Sequence, residues 1–499
     1  MKSPKKIIGL SAAILTMLTA ATVVHAEAGG RTVPHYDIRE IGGTWEEGRY
    51  YLPDGTMVTD AFFCDGEFTY YLMMDGTAMK DRLTYHPDGE HIIYFDSEGH
   101  EVFSNFTHVR QSIEGNPVDD MCFFDTYGYM YVDKLTYDEA GVNLYYANPY
   151  GVMERNGWFR YSDNGLGYAN SDGSLVVNAY RQDWNGENVW LEANGYAKGS
   201  WSYGLGAVYQ VRSDVRNYIA NSGAGSVSVT QMQTQPQLSA PYAPGAVAQE
   251  SLDDALAMLN QMRYIAGLGN NVVLNNEYNE MAQAGAFVNA VNNKMSHHPD
   301  RPDGMSDELY DLGYEGASSS NLAWASWNSS LGQFVELWMD DSDSSNISAL
   351  GHRRWILNPT MQATGFGYAV AKDGSSYGSV YAFDNVFEDT EIRGVAWPAR
   401  EMPLRFFDNN MAWSYSYGEE LDKERISVKL TCLNQEKYRE WNFSAGSSDG
   451  FFNVNNVGYG QTGCVIFKPD GVGINAGDQY LVNISQDSET LATYMVSFF

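Results

Sequence analysis

Apolar and polar positions in this chain follow three rhythms, one after another. Between residues 43 and 202 the unit is an aromatic pair, an Asp-Gly or Asn-Gly turn, and an apolar residue. Tyr50-Tyr51 with Asp54-Gly55 and Met57 is followed by Tyr70-Tyr71 with Asp75-Gly76 and Met79, and later by Tyr145-Tyr146 with Gly151 and Met153. The glycines at 55, 76, 99, 128, 151, 173 and 195 recur every 21 to 23 residues with one longer step. An aromatic strand beside a two-residue turn predicts a β-hairpin. A single hairpin cannot bury its own face, so hairpins at fixed period predict a solenoid.

A helical rhythm begins at residue 250. Leu252, Ala255, Leu256, Leu259 and Met262 fall on one face, with Ser251 and Asp254 as a capping start and Gly267 and Gly269 as the stop. A second helix carries Met281, Ala284, Gly285, Val288 and Met295, and must stop near His298 because a residue before proline leaves the α region. A third spans 329–341 with Leu331, Phe334, Val335 and Trp338 inward. Residues 364–368 and 377–383 read as paired strands, which makes 250–390 an α+β domain. From 395 to 499 the period falls to two, as in Ile426, Val428, Leu430 and Cys432, and predicts a β-sandwich. Residues 221–249 hold no charged residue and much Ser, Gly, Gln, Ala and Pro, the composition of a flexible linker.

Composition then narrows compartment and partners. Lys2, Lys5 and Lys6, an apolar run from Ile7 to Val24, and Val24-His25-Ala26 read as a signal peptide over 1–26. No later run is long enough to span a bilayer, so the expected product is secreted, extracellular or wall-associated. Losing those lysines takes the net charge from −32 to −35, which disfavours nucleic acid and anionic lipid as partners. Four cysteines are too few for a disulfide scaffold. Cys64 and Cys122 are expected as free buried thiols, and Cys432 with Cys464 is open between a bridge and two thiols.

Two stretches carry candidate chemistry: Met295-Ser296-His297-His298-Pro299 and Gly351-His352-Arg353-Arg354-Trp355. Imidazole suits proton transfer and metal ligation near neutral pH. His298, before proline, is expected to be exposed, and Arg353 and Arg354 are expected to pair with acids.

The repeats resemble the choline-binding and glucan-binding wall repeats of Gram-positive surface proteins. That resemblance implies binding of a wall polymer or glycan through aromatics such as Tyr50, Tyr51, Tyr70, Tyr71, Tyr145 and Tyr146, with a pure spacer as the alternative. The tryptophan that usually precedes the tyrosine pair is mostly missing here.

The middle region resembles the CAP superfamily of cysteine-rich secretory, antigen 5 and pathogenesis-related proteins. A helix ending in Ser-His, Asn321-Leu322-Ala323, a Trp-bearing helix, Gly351-His352-Arg353 and Ile356-Leu357-Asn358-Pro359 occur in its order. The resemblance implies an α-β-α sandwich whose cleft holds two His and two Glu. Carried over, the histidines are His297 and His352, Asp341 replaces one Glu, and Ser320 beside Asn321 replaces the other. His297, His352 and Asp341 could hold a divalent metal such as zinc. The leading expectation is a wall-associated protein binding a small ligand, wall fragment or metal. A hydrolase of peptide or wall bonds using His297 and His352, and a non-catalytic adhesive display protein, are the alternatives. Family membership does not choose among them.

Overall fold

The computed structural model describes residues 30–113, 116–385, 388 and 390–499. The signal-peptide stretch lies outside them. Two compact units divide the chain, one ending at Glu154 and the other spanning Arg155–Phe499. Among the described residues no helix is long and apolar enough to cross a membrane.

The first unit is a series of antiparallel hairpins. Thr44–Glu46 pairs with Arg49–Tyr51, Ala61–Cys64 with Thr69–Leu72, Arg82–Tyr85 with Ile92–Phe95, Asn105–Ile113 with Asn116–Phe124, and Lys134–Tyr137 with Leu144–Ala147. The aromatic pair usually forms the second strand. The Asp-Gly turn after it closes a further bridge, as in Tyr51 with Met57 and Leu72 with Ala78.

A second periodic device precedes the hairpins. Asp60, Asp81, Ser104 and Asp133 adopt positive φ, a region that Asp tolerates better than most residues. Asp60 accepts from the Tyr71 hydroxyl at 2.5 Å, Asp81 from Tyr94 at 2.7 Å, and Asp133 from Tyr146. Each tyrosine thus buries its ring while its hydroxyl remains satisfied.

The second unit opens with two more hairpins, Gly157–Arg160 with Leu166–Ala169 and Ala179–Gln182 with Asn188–Leu191. No break follows at 202. Ser202–Tyr203 adds an edge strand to the sheet formed near the C-terminus, and buried Arg400 donates to the Ser200 carbonyl, the Ser202 hydroxyl and the Ala207 carbonyl.

Helix α1 (Arg212–Asn221) leads into the stretch expected as a flexible linker, and the structure corrects that reading. Met232–Thr234 pairs with Ala246–Val247. The Ser226 and Val227 amides donate to Asp254, and the Gln231 amide donates to Ser251. Helix α2 (Gln249–Ile265) begins without a side-chain cap, so Ser251 and Asp254 serve as handles for this strap rather than as a capping box.

Helices α3 (Asn276–Asn292), α4 (Asp307–Ser318), α5 (Leu331–Asp340) and α6 (Gly351–Ile356) surround strands β1 (Ser320–Ala325), β2 (Phe366–Val370) and β3 (Ser376–Tyr381). The sheet order is β1-β3-β2, antiparallel throughout. The Ser379 hydroxyl donates to the Ala282 carbonyl of α3, whereas the adjacent Gly378 meets the Phe334 ring of α5. Neighbouring strand residues point to opposite faces, so α3 and α5 cover the two sides. Gly367 and Gly378 make this approach possible, because a Cβ on either would overlap Ala282 or Phe334. Helix α3 ends at Asn293 in the left-handed region, earlier than expected, and leaves Met295 exposed.

Residues 395–499 form two sheets. One orders Val395–Trp397, Trp413–Ser416, Cys464–Pro469 and Gly450–Asn455. The other orders Ser202–Tyr203, Glu489–Phe498, Gln479–Gln486, Ile426–Cys432 and Arg439–Ser444, with Glu401–Met402 beside Glu489–Phe498. Trp413 lies between them, 5.6 Å from Tyr480 and 6.0 Å from Phe498. All four cysteines are free, and Cys432 and Cys464 lie in different sheets. Cys122 is buried as expected, whereas Cys64 is only partly so.

Candidate functional site

His297 is aimed by the loop that follows α3. The buried Asn289 side chain accepts from the Ser296 amide at 2.9 Å and donates to the Ser296 carbonyl at 3.1 Å, fixing the residue before it. His297 Nδ1 then lies 2.8 Å from the Ala317 carbonyl. That carbonyl belongs to the last turn of α4, where main-chain acceptors lack helical partners. A carbonyl only accepts, so Nδ1 carries the proton and Nε2 keeps its lone pair.

His352 is held by an equivalent arrangement. Asp341 caps the C-terminal end of α5 at φ 51°, which turns its carboxylate toward α6. Oδ1 accepts from His352 Nδ1 at 2.7 Å, and Oδ2 accepts from the His352 amide at 2.9 Å and the Arg353 amide at 3.3 Å. Leu350, the residue preceding α6, offers no side-chain cap. Asp341 therefore supplies from α5 the acceptors that α6 lacks.

Strand β1 joins the two halves. Asn321 Nδ2 donates to the His352 carbonyl at 3.0 Å. Ser320, three residues beyond Ala317, is buried, and its hydroxyl has no hydrogen-bond partner among the described residues. Burial depresses the pKa of His297, the Ala317 carbonyl partly offsets this, and His352 and His298 lower it further by charge repulsion. Asn321, His352 and Asp341 are thus joined by hydrogen bonds, and His297 lies near enough to His352 for their charges to interact.

Among the described residues no group of three His, Cys, Asp or Glu side chains is arranged to hold a metal ion. Both Asp341 oxygens accept from His352 and Arg353, which orients the His352 imidazole. His298 is satisfied by the Tyr314 hydroxyl at 3.0 Å.

Among the described residues Arg353 and Arg354 form no ion pair with an acid, contrary to the expectation. Arg353 donates to the carbonyls of Met339, Asp340 and Ala412 and to the Ser414 hydroxyl, and its burial brings its pKa down to about 10. Arg354 donates to the Ala349, Val457 and Gln461 carbonyls and to Asn455, and stacks over Tyr459.

The expected wall-binding aromatics divide. Tyr50, Tyr71 and Tyr146 are core rings, exposed by 7% or less, while Tyr51, Tyr70 and Tyr145 are half-buried. More open rings lie elsewhere, notably Tyr85 at 42% and Tyr137 at 53%. Leu83-Thr84-Tyr85 and Leu135-Thr136-Tyr137 repeat a motif at the end of a first strand. That repetition was the available signal for them.

Residues 256–383 match the family model CAP, the cysteine-rich secretory protein family. This segment is a CAP domain. Among solved structures, the chain is similar to the choline-binding domain of CbpL from Streptococcus pneumoniae, at 19% identity and a TM-score of 0.19, over 32% of this chain and 97% of that one. It is also similar to the choline-complexed endolysin of phage Cp-1, at 19% identity and 0.19, over 28% and 38%. A truncated alternansucrase from Leuconostoc mesenteroides matches at 23% and 0.21, over 26% and 12%. The chain therefore spans less than half of the latter two. No curated protein matches it.

Proposed function

We propose that the chain is an exported, wall-associated CAP protein whose repeats engage a wall polymer and whose histidine pair binds a small polar ligand or wall fragment. One observation carries the binding role. Each imidazole has its Nδ1 proton committed, to Ala317 or to Asp341, which leaves both Nε2 atoms as acceptors. Such a set suits a ligand that presents N–H or O–H donors, as the amides and hydroxyls of muropeptides do.

The hydrolase alternative has less support. Ser320 bonds to neither imidazole, so no activated hydroxyl is in place. A bound metal would have two imidazole ligands from this set, with the Ala317 carbonyl and Asp341 as their outer partners. Calorimetric titration of the full chain with purified disaccharide-peptide muropeptides, and separately with zinc, tests the reading. Muropeptide heat should fall in His297→Ala and His352→Ala. Heat unchanged in both variants, or absent from the wild type, refutes the binding role.

A further inference from the structure

A cavity of about 160 Å³ lies in the second unit, between helices α2 and α5 and the segment 405–411 that leads into the C-terminal sheets. Buried Met262, Met339, Met411, Phe406 and Phe407 give it an apolar floor. An apolar cavity of roughly 150 Å³ accepts benzene, so this space suits a guest of about six heavy atoms. Methionines adapt well to an unbranched guest, because each has a flexible stem and a polarisable sulfur.

Charge decides which guest fits. The ionisable groups of the lining are Glu336, Asp340, Asp408 and Arg405. Arg405 is taken by Glu336, with Nη2 2.9 Å from Oε1. Among the described residues Asp340 and Asp408 form no ion pair with a cationic side chain. Buried Arg353 donates to the Asp340 main-chain carbonyl, but its charge answers Asp341 as well as Asp340. Four carboxylates thus stand against two guanidiniums, and the excess is negative. Hydrogen bonding agrees with charge. Asp340 Oδ1 is buried without a partner among the described residues, and a buried acceptor left unpaired is costly. Asp408 Oδ1 accepts from the Asn410 amide at 2.7 Å, at an exposed position.

An anion is repelled by this lining. An alkane leaves Asp340 unanswered, and a quaternary ammonium has no N–H to offer it. A primary ammonium brings one positive charge and three donors. We propose that this cavity binds a short primary alkylammonium, its head met by Asp340 and Asp408 and its chain lying on the methionine and phenylalanine floor. The inference is independent of the histidine site and of the hairpin repeats.

Calorimetry on the full chain at neutral pH compares n-pentylammonium, tetramethylammonium, pentanol and pentanoate. Pentylammonium should bind at least about tenfold more tightly than the other three, the value of a hydrogen bond to a charged group. Asp340→Asn should weaken it by about the same factor, and Asp408→Asn, at the exposed position, by less. Met411→Trp should abolish binding by filling the space, and circular dichroism checks the fold of all three variants. Acetyl-lysine methylamide carries the same head on a peptide side chain. Its competition with pentylammonium supports the site with a lysine-type side chain as the source, and pentylammonium binding without competition supports the site with a free amine. Pentanol binding as tightly as pentylammonium overturns the charge argument, and tetramethylammonium binding as tightly overturns the hydrogen-bonded head. No binding of pentylammonium, or binding unchanged in both Asp340→Asn and Asp408→Asn, overturns the site.

Discussion

Asp341→Asn is the most direct probe of the candidate site, because it changes one atom type and almost no volume. The carboxylate accepts three hydrogen bonds, two of them from main-chain amides of α6 that cannot be moved cheaply. The carbonyl oxygen of an asparagine must stay on those amides, so its NH₂ group faces His352 Nδ1. Two donors then oppose each other across a contact that is now 2.7 Å. The ring relieves the clash by shifting its proton to Nε2, and Nδ1 becomes the acceptor. The exchange forfeits one charge-assisted bond, about 1.5–3 kcal/mol. For a ligand donating to Nε2, an unmade buried hydrogen bond costs about 1–3 kcal/mol, or roughly 5- to 140-fold in Kd. Long-range proton–nitrogen correlation spectra of the imidazoles read the tautomer directly, without a ligand. The wild type should show His352 protonated at Nδ1, and Asp341→Asn should show it at Nε2. An unchanged His352 tautomer would refute the assignment of Asp341 as the orienting residue.

Three further outcomes are expected. His297 should titrate below 6.5 by NMR, and His352→Ala should raise its pKa by removing a repulsive neighbour. Because the fold disfavours the charged ring, this group's stability contribution is complete above pH 6.5 and is lost as pH falls through the folded pKa. Burial lifts Glu101 from 4.5 to about 8, so the wild type should lose stability as pH rises from 4.5 toward 8. Its side chain is partly open to solvent, so the loss is about a few kcal/mol at most; denaturation at pH 5 and pH 8 should show Glu101→Gln free of it. Arg353→Lys has too few donors for four acceptors and should destabilise the second unit by about 2–4 kcal/mol, read as a lowered thermal midpoint.

Much of this organisation was legible in residue spacing, though sometimes for a different reason. The repeat period marks the hairpins because their turns require Asp, Asn or Gly at defined steps. The third helix was expected to run to 341; Asp341 is buried, but as a left-handed cap beyond the helix rather than as a member of its face. Composition misjudged residues 221–249. An uncharged Ser-Gly-Gln stretch cannot form a core, yet here it borrows one, held by Ser251 and Asp254 from outside. Tyrosine pairs looked like binding rings because a sequence does not show which of two adjacent strand residues faces the core. Arg353 and Arg354 looked like ion-pairing groups because several of their acceptors are carbonyls about sixty and a hundred residues away.

Those two arginines also separate kinship from construction. The segment recognisable by similarity ends at 383, but the carbonyls that receive Arg353 and Arg354 come from residues 412, 457 and 461 as well. Grafting 256–383 alone onto another protein would carry two cations away from more than half of their acceptors. Recombination that preserved this fold would have had to move a longer gene segment, one that includes the C-terminal sheets. The inherited module is thus smaller than the part that can be exchanged.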